Sequence, residues 1–464
     1  MNILYVTSEA VPFCKTGGLA DVAGSLPQSL AANGDRVSVI LPLYQSVADA
    51  WRDRLHFERY TYVRLAWRSL YCGLFSYERQ GVTWYFVDNE QYFKRPELYG
   101  YYDDGERFAF FSRADVVHCN DWQTALVPIY IHDEAVREEF YKSVRTVITV
   151  HNIEYQGRYG RETVEDLFGL DAGWFTGGTL AFDGDVNLLK GAIVTAAVTA
   201  VSPTYAQELK YAYFAHGLES VMQMVEGKLH GVLNGIDMER YDPASDPNLT
   251  ANYSLRRMAG KAKDKAALQR MMGLAERKDT PVVAMVSRLV SHKGLDLVCE
   301  TLDYFMEKDM QLVVLGKGDG KYESFFSWAQ AKYPGRVAVH LGYSESLAMQ
   351  IYAGADLFLM PSKSEPCGLS QMIAMRYGAV PIVRETGGLK DTVHAYEAWN
   401  GAGNGFSFTN YNAGDMCYVI GEAVDLYHQK PEAYKALRKR GMAEDFSWAR
   451  SAKKYREIYD SICK

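Results

Sequence analysis

No C-x-x-C pair occurs among the seven cysteines, Cys14, Cys72, Cys119, Cys299, Cys367, Cys417 and Cys463, and their number is odd. Such scatter supports neither a disulfide framework nor a structural zinc site, and it fits a reducing cytoplasm. Long apolar runs are missing too. The longest near a helix, at 192–201, falls far short of the roughly 20 residues a membrane span needs, so no membrane partner is expected. Basic excess is absent as well: a formal net charge of -7 offers no general attraction to phosphate backbones, which argues against nucleic acid. Residues 1–6 enter an apolar strand pattern at once and leave no room for a basic leader, so the mature chain is expected to begin at Met1.

What is present is a chain of 464 residues, long enough for two domains of ordinary size. With 48% hydrophobic and 23% charged residues it has the composition of a folded globular protein. Short apolar runs at 3–6, 37–41, 84–87, 116–119, 147–150, 198–201 and 232–233 alternate with longer helical patterns. That rhythm predicts a doubly wound α/β fold with a parallel sheet. A polar stretch with little periodicity, 241–253, interrupts it. A second series follows at 282–286, 312–315, 337–339, 357–360 and 380–383. Residues 1–240 are therefore expected as one α/β domain, 241–445 as a second, and 446–464 as a terminal helix.

Open α/β sheets bind ligands beyond the carboxyl ends of their strands, which directs attention to four loops. After the first run comes Lys15-Thr16-Gly17-Gly18-Leu19-Ala20-Asp21, opening a helical stripe. Paired glycines permit close backbone approach, a helix start offers free N–H groups, and Lys15 adds a positive charge, together an anion site. Thr386-Gly387-Gly388-Leu389-Lys390-Asp391 repeats the device in the second half, and the pair suggests a pyrophosphate held between the domains. Ser287-Arg288-Leu289 with Lys293-Gly294 places a planar and a compact cation within reach of phosphate oxygens, against the alternative of a solvated basic turn. In Glu365-Pro366-Cys367-Gly368-Leu369, Pro366 suits a first helical turn. Glu365 beside the positive helix end stays ionised and able to accept from sugar hydroxyls.

These motifs, in this order, carry a resemblance over nearly the whole chain. Ser8-Glu9-Ala10 with Lys15–Val22, Asn120-Asp121-Trp122, His151-Asn152 with Tyr155-Gln156-Gly157, Asn234-Gly235-Ile236-Asp237, Ser287-Arg288-Leu289 with Lys293-Gly294, Glu365–Leu369 and Thr386–Leu389 resemble bacterial glycogen synthases and plant starch synthases. The resemblance implies two Rossmann-like domains facing a deep cleft, the GT-B glycosyltransferase fold, with an acceptor-side first domain, a donor-side second domain and a terminal helix crossing back. It implies transfer of glucose from ADP-glucose to the non-reducing end of an α-1,4-glucan with retention, releasing ADP and needing neither metal nor cofactor. Lys15, Gly18 and Asp21 would serve the donor phosphates, and Arg288 and Lys293 the leaving diphosphate. Tyr343 would pack on adenine, and Glu365 would bind donor hydroxyls. Thr386 and the backbone of Cys367, Gly368 and Leu369 would complete the ADP-glucose site. His151 would lie by the anomeric carbon, with Asp121 and Asn234 in the same cleft. Glu365, His151, Lys293 and Arg288 form the expected catalytic set, in a cytoplasmic monomer or small homo-oligomer.

Retention admits two routes: front-face departure and attack, or double displacement with Glu365 or Asp121 as nucleophile. Two other readings stay open, a UDP-glucose enzyme and a silent glucan-binding protein on the same scaffold. Gln123 and His292 stand where relatives carry histidine and glutamine, Ser364 where a bulky residue is usual, and Glu154 follows His151-Asn152-Ile153. Gly316-Lys317-Gly318-Asp319-Gly320 is not G-x-G-x-x-G and argues against a dinucleotide site. Asp183-Gly184-Asp185 is expected as a turn and N-cap, not a metal site. Tyr92, Tyr99, Tyr101 and Tyr102 crowd together with faces suited to glucan, without an assigned role.

Overall fold

A computed structural model describes residues 1–65, 67–98, 116–136 and 138–463. Tyr99, Tyr101 and Tyr102 lie outside them, and Tyr92 is buried. The chain forms two compact units, one from residues 1–235 with the stretch from Trp448 onward, the other Ile236–Ser447.

In the first unit, β1 (Asn2–Val6), β2 (Arg36–Pro42), β3 (His56–Leu65), β4 (Arg68–Arg79), β5 (Val82–Asp88), β6 (Val116–Asn120) and β7 (Arg145–Val150) belong to one sheet. Strands β8 (Arg158–Tyr159), β9 (Ala181–Phe182) and β10 (Asp185–Asn187) form a small antiparallel sheet beside it, and β11 (Ala197–Ala200) and β12 (Leu229–Gly231) complete the large one. Its order is β12-β11-β7-β6-β1-β2-β5-β4-β3. From β5 to β12 every pairing is parallel, and the strands bury both faces, so Tyr5, Val6, Val39, Trp84 and Val147 all lie in the core. The antiparallel hairpin β3–β4 was not foreshadowed by any apolar run. Its strands mix charged residues with exposed Phe57, Tyr60 and Tyr62, so nothing in it reads as a buried strand. The expected strand at 232–233 instead ends at Gly231.

The second unit contains β13 (Val282–Val286), β14 (Gln311–Gly316), β15 (Val337–Leu341), β16 (Leu357–Met360), β17 (Val380–Arg384) and β18 (Phe406–Phe408), ordered β15-β14-β13-β16-β17-β18, all parallel. Counting strands within the unit gives 3-2-1-4-5-6, the doubly wound nucleotide-binding order. Helices Leu295–Phe305 and Ala413–Gln429 cover it with Leu297, Leu302, Phe305, Met416 and Ile420 in one core.

The stretch 241–253 is no free linker. Tyr253 donates from its hydroxyl to the Tyr377 carbonyl at 2.7 Å, and Tyr377 donates to Asp246 Oδ2 at 2.6 Å. These buried bonds tie the stretch to the second unit, so the division falls a few residues before the expected break after 240. The terminal helix Trp448–Ile462 packs in the first unit: Ser451 donates to the Leu233 carbonyl at 2.6 Å, and Tyr455 and Tyr459 are buried.

Candidate active site

In a doubly wound sheet the crevice lies where strand order reverses, between β1 and β6 in the first unit and between β13 and β16 in the second. The predicted residues follow these strands and their neighbours. Past β1, buried Glu9 receives Thr16 N at 2.5 Å and Thr16 Oγ1 at 2.6 Å on one carboxylate oxygen, which shapes the turn into helix Gly18–Ala32. Burial pushes the Glu9 carboxyl above its usual range, although the Thr16 bonds oppose the shift. That helix has Gly17 at its cap, and the Gly17 amide also acts on the Glu9 carboxylate. Lys15 Nζ lies 2.8 Å from Asp21, so the predicted lysine and aspartate form one pair at the helix start.

At the end of β6, Asp121 adopts φ 56°, a left-handed value that non-glycine residues rarely hold. The bend turns its carboxylate toward β7, where Oδ1 accepts His151 N at 2.7 Å. Desolvation lifts Asp121 to about 7, against the lowering effect of the His151 and Asn152 amides, and holds the His151 ring down at about 3. Asp121 and His151 are thus brought together. Asn234 is not joined to them: it follows edge strand β12, buried, with no partner for Oδ1 among the described residues.

In the second unit Lys293 Nζ meets Glu365 Oε2 at 2.7 Å, and Ser362 Oγ donates to the same oxygen at 3.0 Å. Glu365 is 8% exposed, so this charge is compensated inside the protein. Arg288 is exposed on the preceding loop. The glycines at 316 and 318 brace that loop: a Cβ at Gly316 would lie 2.0 Å from the Ser287 carbonyl oxygen, and one at Gly318 2.3 Å from that of Leu289. Close backbone packing is what this glycine run provides. Gly294, at φ 72°, likewise has room for no Cβ, with the Pro361 carbonyl oxygen 1.9 Å away, and the contact seats Lys293 beside Glu365.

Three expectations change. Pro366 does not begin a helix, because Gly368 at φ 71° intervenes and the helix is Ser370–Arg376. The N–H groups of Gly368 and Leu369 have no backbone or side-chain acceptor among the described bonds, whereas the Cys367 side chain is buried. Second, the Thr386 loop is not an open copy of the Lys15 loop. Thr386 is fully buried, Gly388 N donates to the carbonyls of Glu365 and Pro366 at 3.2 Å each, and Cβ atoms at Gly387 and Gly388 would lie 2.0 and 2.1 Å from the carbonyl oxygens of Glu365 and Cys367. Third, Asp183 and Gly184, both at positive φ, form the expected turn between β9 and β10, but the N-cap expected with it is Asn187, and Asp185 pairs with Arg158. Tyr343 stands 71% exposed after β15.

One pocket of the first unit was not anticipated as a site. About 500 Å³ in volume, it is lined by Trp122, Tyr155, Gln156, Arg158, Tyr159 and His216 among others. Gly157, at φ 64°, forms part of it because a Cβ there would lie 2.6 Å from the Trp122 ring. Trp122 and Tyr155-Gln156-Gly157 stood in the motifs; Arg158, Tyr159 and His216 carried no signal, since the fold alone gathers them.

Residues 2–224 match the family described as starch synthase catalytic domain, and 271–442 match glycosyl transferases group 1. A glycogen synthase of Geobacillus thermodenitrificans is 49% identical over the whole chain and 98% of its own length. One from Bacillus cereus is 47% identical with both chains fully covered. The catalytic domain of starch synthase IV from Arabidopsis thaliana, bound to ADP and acarbose, superposes with TM-score 0.91 at 33% identity over 99% of each chain. Sucrose-phosphate synthase of Thermosynechococcus elongatus, at 16% identity and TM-score 0.60, shares the fold over 99% of this chain and 98% of its own. The chain, built of two parallel-sheet units in the GT-B fold, belongs to the glycogen and starch synthase family of glycosyltransferases.

Proposed function

We propose that this chain transfers glucose from ADP-glucose to the non-reducing end of an α-1,4-glucan with retention of configuration, releasing ADP. The observation that carries the reading is the pairing of Lys293 with buried Glu365 at a strand-order reversal, in a chain nearly half identical to glycogen synthases along its full length. A diphosphate leaving group needs positive charge, and Arg288 and Lys293 supply it without a metal ion, with Lys15 and the start of helix Gly18–Ala32 adding donors. Asp21 holds Lys15. Glu365 accepts from donor hydroxyls, the N–H groups of Gly368 and Leu369 with the Cys367 backbone hold the glucose, and Thr386 supports that loop from below. Tyr343 offers its exposed ring to adenine. The ADP bound by the Arabidopsis enzyme supports this nucleotide, and its acarbose supports a glucan acceptor. The first unit is assigned to the acceptor, with the pocket beside Trp122 and Tyr155 suited to sugar faces, and the second to the donor. Asn234 lies on the acceptor-side unit as a further polar contact.

In the transfer, the bond from the anomeric carbon to the diphosphate oxygen breaks and the bond to acceptor O4 forms on the same face. The O4 proton passes to the departing phosphate. Catalysis is then positioning and charge stabilisation, and the His151 carbonyl favours the oxocarbenium-like state. Front-face transfer is favoured over double displacement because Glu365 Oε2 already accepts two bonds and Asp121 Oδ1 accepts the His151 amide. The test is incubation with glycogen and radiolabelled ADP-glucose or UDP-glucose in EDTA. Label entering polymer from ADP-glucose, released by an α-specific glucosidase, is expected. Label from UDP-glucose alone would overturn the donor assignment, and loss of transfer in EDTA would overturn the metal-independent one.

A further inference from the structure

Asn120 ends β6 one residue before Asp121, is fully buried, and makes three bonds through its side chain. Its Nδ2 donates to the Val6 carbonyl at 2.9 Å, and its Oδ1 lies 3.0 Å from both the Tyr5 hydroxyl and His151 Nε2. Its backbone N–H donates to Thr124 Oγ1 at 2.6 Å. Amide nitrogen and oxygen look alike, so their placement must follow from chemistry. The Val6 carbonyl only accepts, so the group facing it must be the NH2. The carbonyl oxygen then faces Tyr5 and His151 and can only accept from each. Tyr5 gives its hydroxyl proton, and the nitrogen of His151 at 3.0 Å must carry hydrogen. With the opposite tautomer, two lone pairs would face each other and a buried acceptor would go unmet.

We infer that Asn120, locked by Val6 and Tyr5, is a positioning residue that holds His151 as the Nε2–H tautomer with a bare Nδ1, so that the ring meets substrate as a hydrogen-bond acceptor. Burial holds His151 at about 3, so the ring is neutral at ordinary pH and has one proton to place. The grip is double, since Asp121 Oδ1 takes the backbone N–H of His151 at 2.7 Å while Asn120 takes the ring. Tyr5 is itself wedged, fully buried with its ring edge-on to His118 at 4.8 Å. His118 lies between Tyr459 of the terminal helix and Thr149 of β7, 2.6 Å from each. Adjacent strands β1, β6 and β7 thus fix one imidazole in position, orientation and protonation, a degree of control that simple packing does not require.

The inference rests on the proposed transfer only for its kinetic arm. The direct test is nitrogen-15 NMR of the full chain labelled in its histidine rings, using couplings that separate the two tautomers. Ten histidines are present, so His151 is assigned by the signal that vanishes in His151→Gln. The wild-type ring is expected to show protonated Nε2 and bare Nδ1. Asn120→Leu is expected to lose that pattern and to lower kcat about tenfold or more. Asn120→Asp, which in its protonated form gives its O–H to the Val6 carbonyl and keeps an acceptor toward His151, is expected to retain the pattern and restore most of the rate while that proton is held. A protonated Nδ1 in the wild type overturns the inference without reference to any variant. So does a folded Asn120→Leu chain that keeps the wild-type pattern. A chain that shows the Nε2–H ring and transfers no glucose would sink the functional reading and leave this inference standing.

Discussion

The same four residue types, Thr-Gly-Gly-Leu, follow a strand and open a helix at Thr16–Leu19 and at Thr386–Leu389, yet the two loops do opposite things. At Gly17 a Cβ would find its nearest neighbour 3.7 Å away, on the Glu9 carboxylate, at an extended φ of -152°. Space stays open above that helix start, as a site for an incoming anion requires. At Gly387 and Gly388 a Cβ would run into the backbone of Glu365 and Cys367, and the Gly388 amide is already given to two carbonyls. Gly17 leaves room beside its backbone, while Gly387 and Gly388 let the protein pack against itself and so fix the loop that carries Glu365. A shared sequence therefore reports the local turn, and its surroundings decide the use.

The charged pairs of the two units extend the contrast. Lys293 and Glu365 are both largely shielded, so Lys293→Ala leaves a buried carboxylate without its cation. We expect a loss of about 2–3 kcal/mol in denaturant unfolding and a fall of about a hundredfold in glucose transfer. Lys15 and Asp21 are more exposed, so Lys15→Ala should change stability by less than about 1 kcal/mol while lowering transfer about tenfold or more. Equal stability losses in the two variants would erase the distinction. The smallest effect concerns Asp121, which has amide donors in place of a cation. Its carboxyl is raised from 3.8 to about 7 in the folded chain, so its protonated form is the favoured one. That contribution is complete below the ordinary value and lost as pH rises through about 7. Asp121→Asn should gain in melting temperature relative to wild type as pH rises through that window, and a difference independent of pH would contradict the shift.

Much of this was legible in the sequence because parallel strands bury both faces and read as apolar runs, and because the ligand loops follow those strands directly. Lys15, Lys293 and Glu365 stood out as charges at strand ends, and Asp121 and His151 entered through the motifs that carry the family resemblance. The hairpin β3–β4 was not legible, since its half-exposed strands mix tyrosine with charge. The fate of Gly387 and Gly388 was hidden as well, because contact with Glu365 and Cys367 joins segments about twenty residues apart through tertiary packing. The joint role of Asn120 and Tyr5 was hidden in another way. Asn120 stood in a motif without a role and Tyr5 reads as part of a strand, and only the alignment of β1, β6 and β7 makes their polar ends converge on His151.

The most direct test of the divergence between the two loops is a paired measurement of melting temperature and ADP-glucose transfer in Gly17→Ala and Gly388→Ala. The account predicts wild-type melting with reduced transfer for Gly17→Ala, and a joint fall in melting temperature and transfer for Gly388→Ala. A Gly388→Ala chain that melts and turns over like wild type, or a Gly17→Ala chain as unstable as its counterpart, would contradict it.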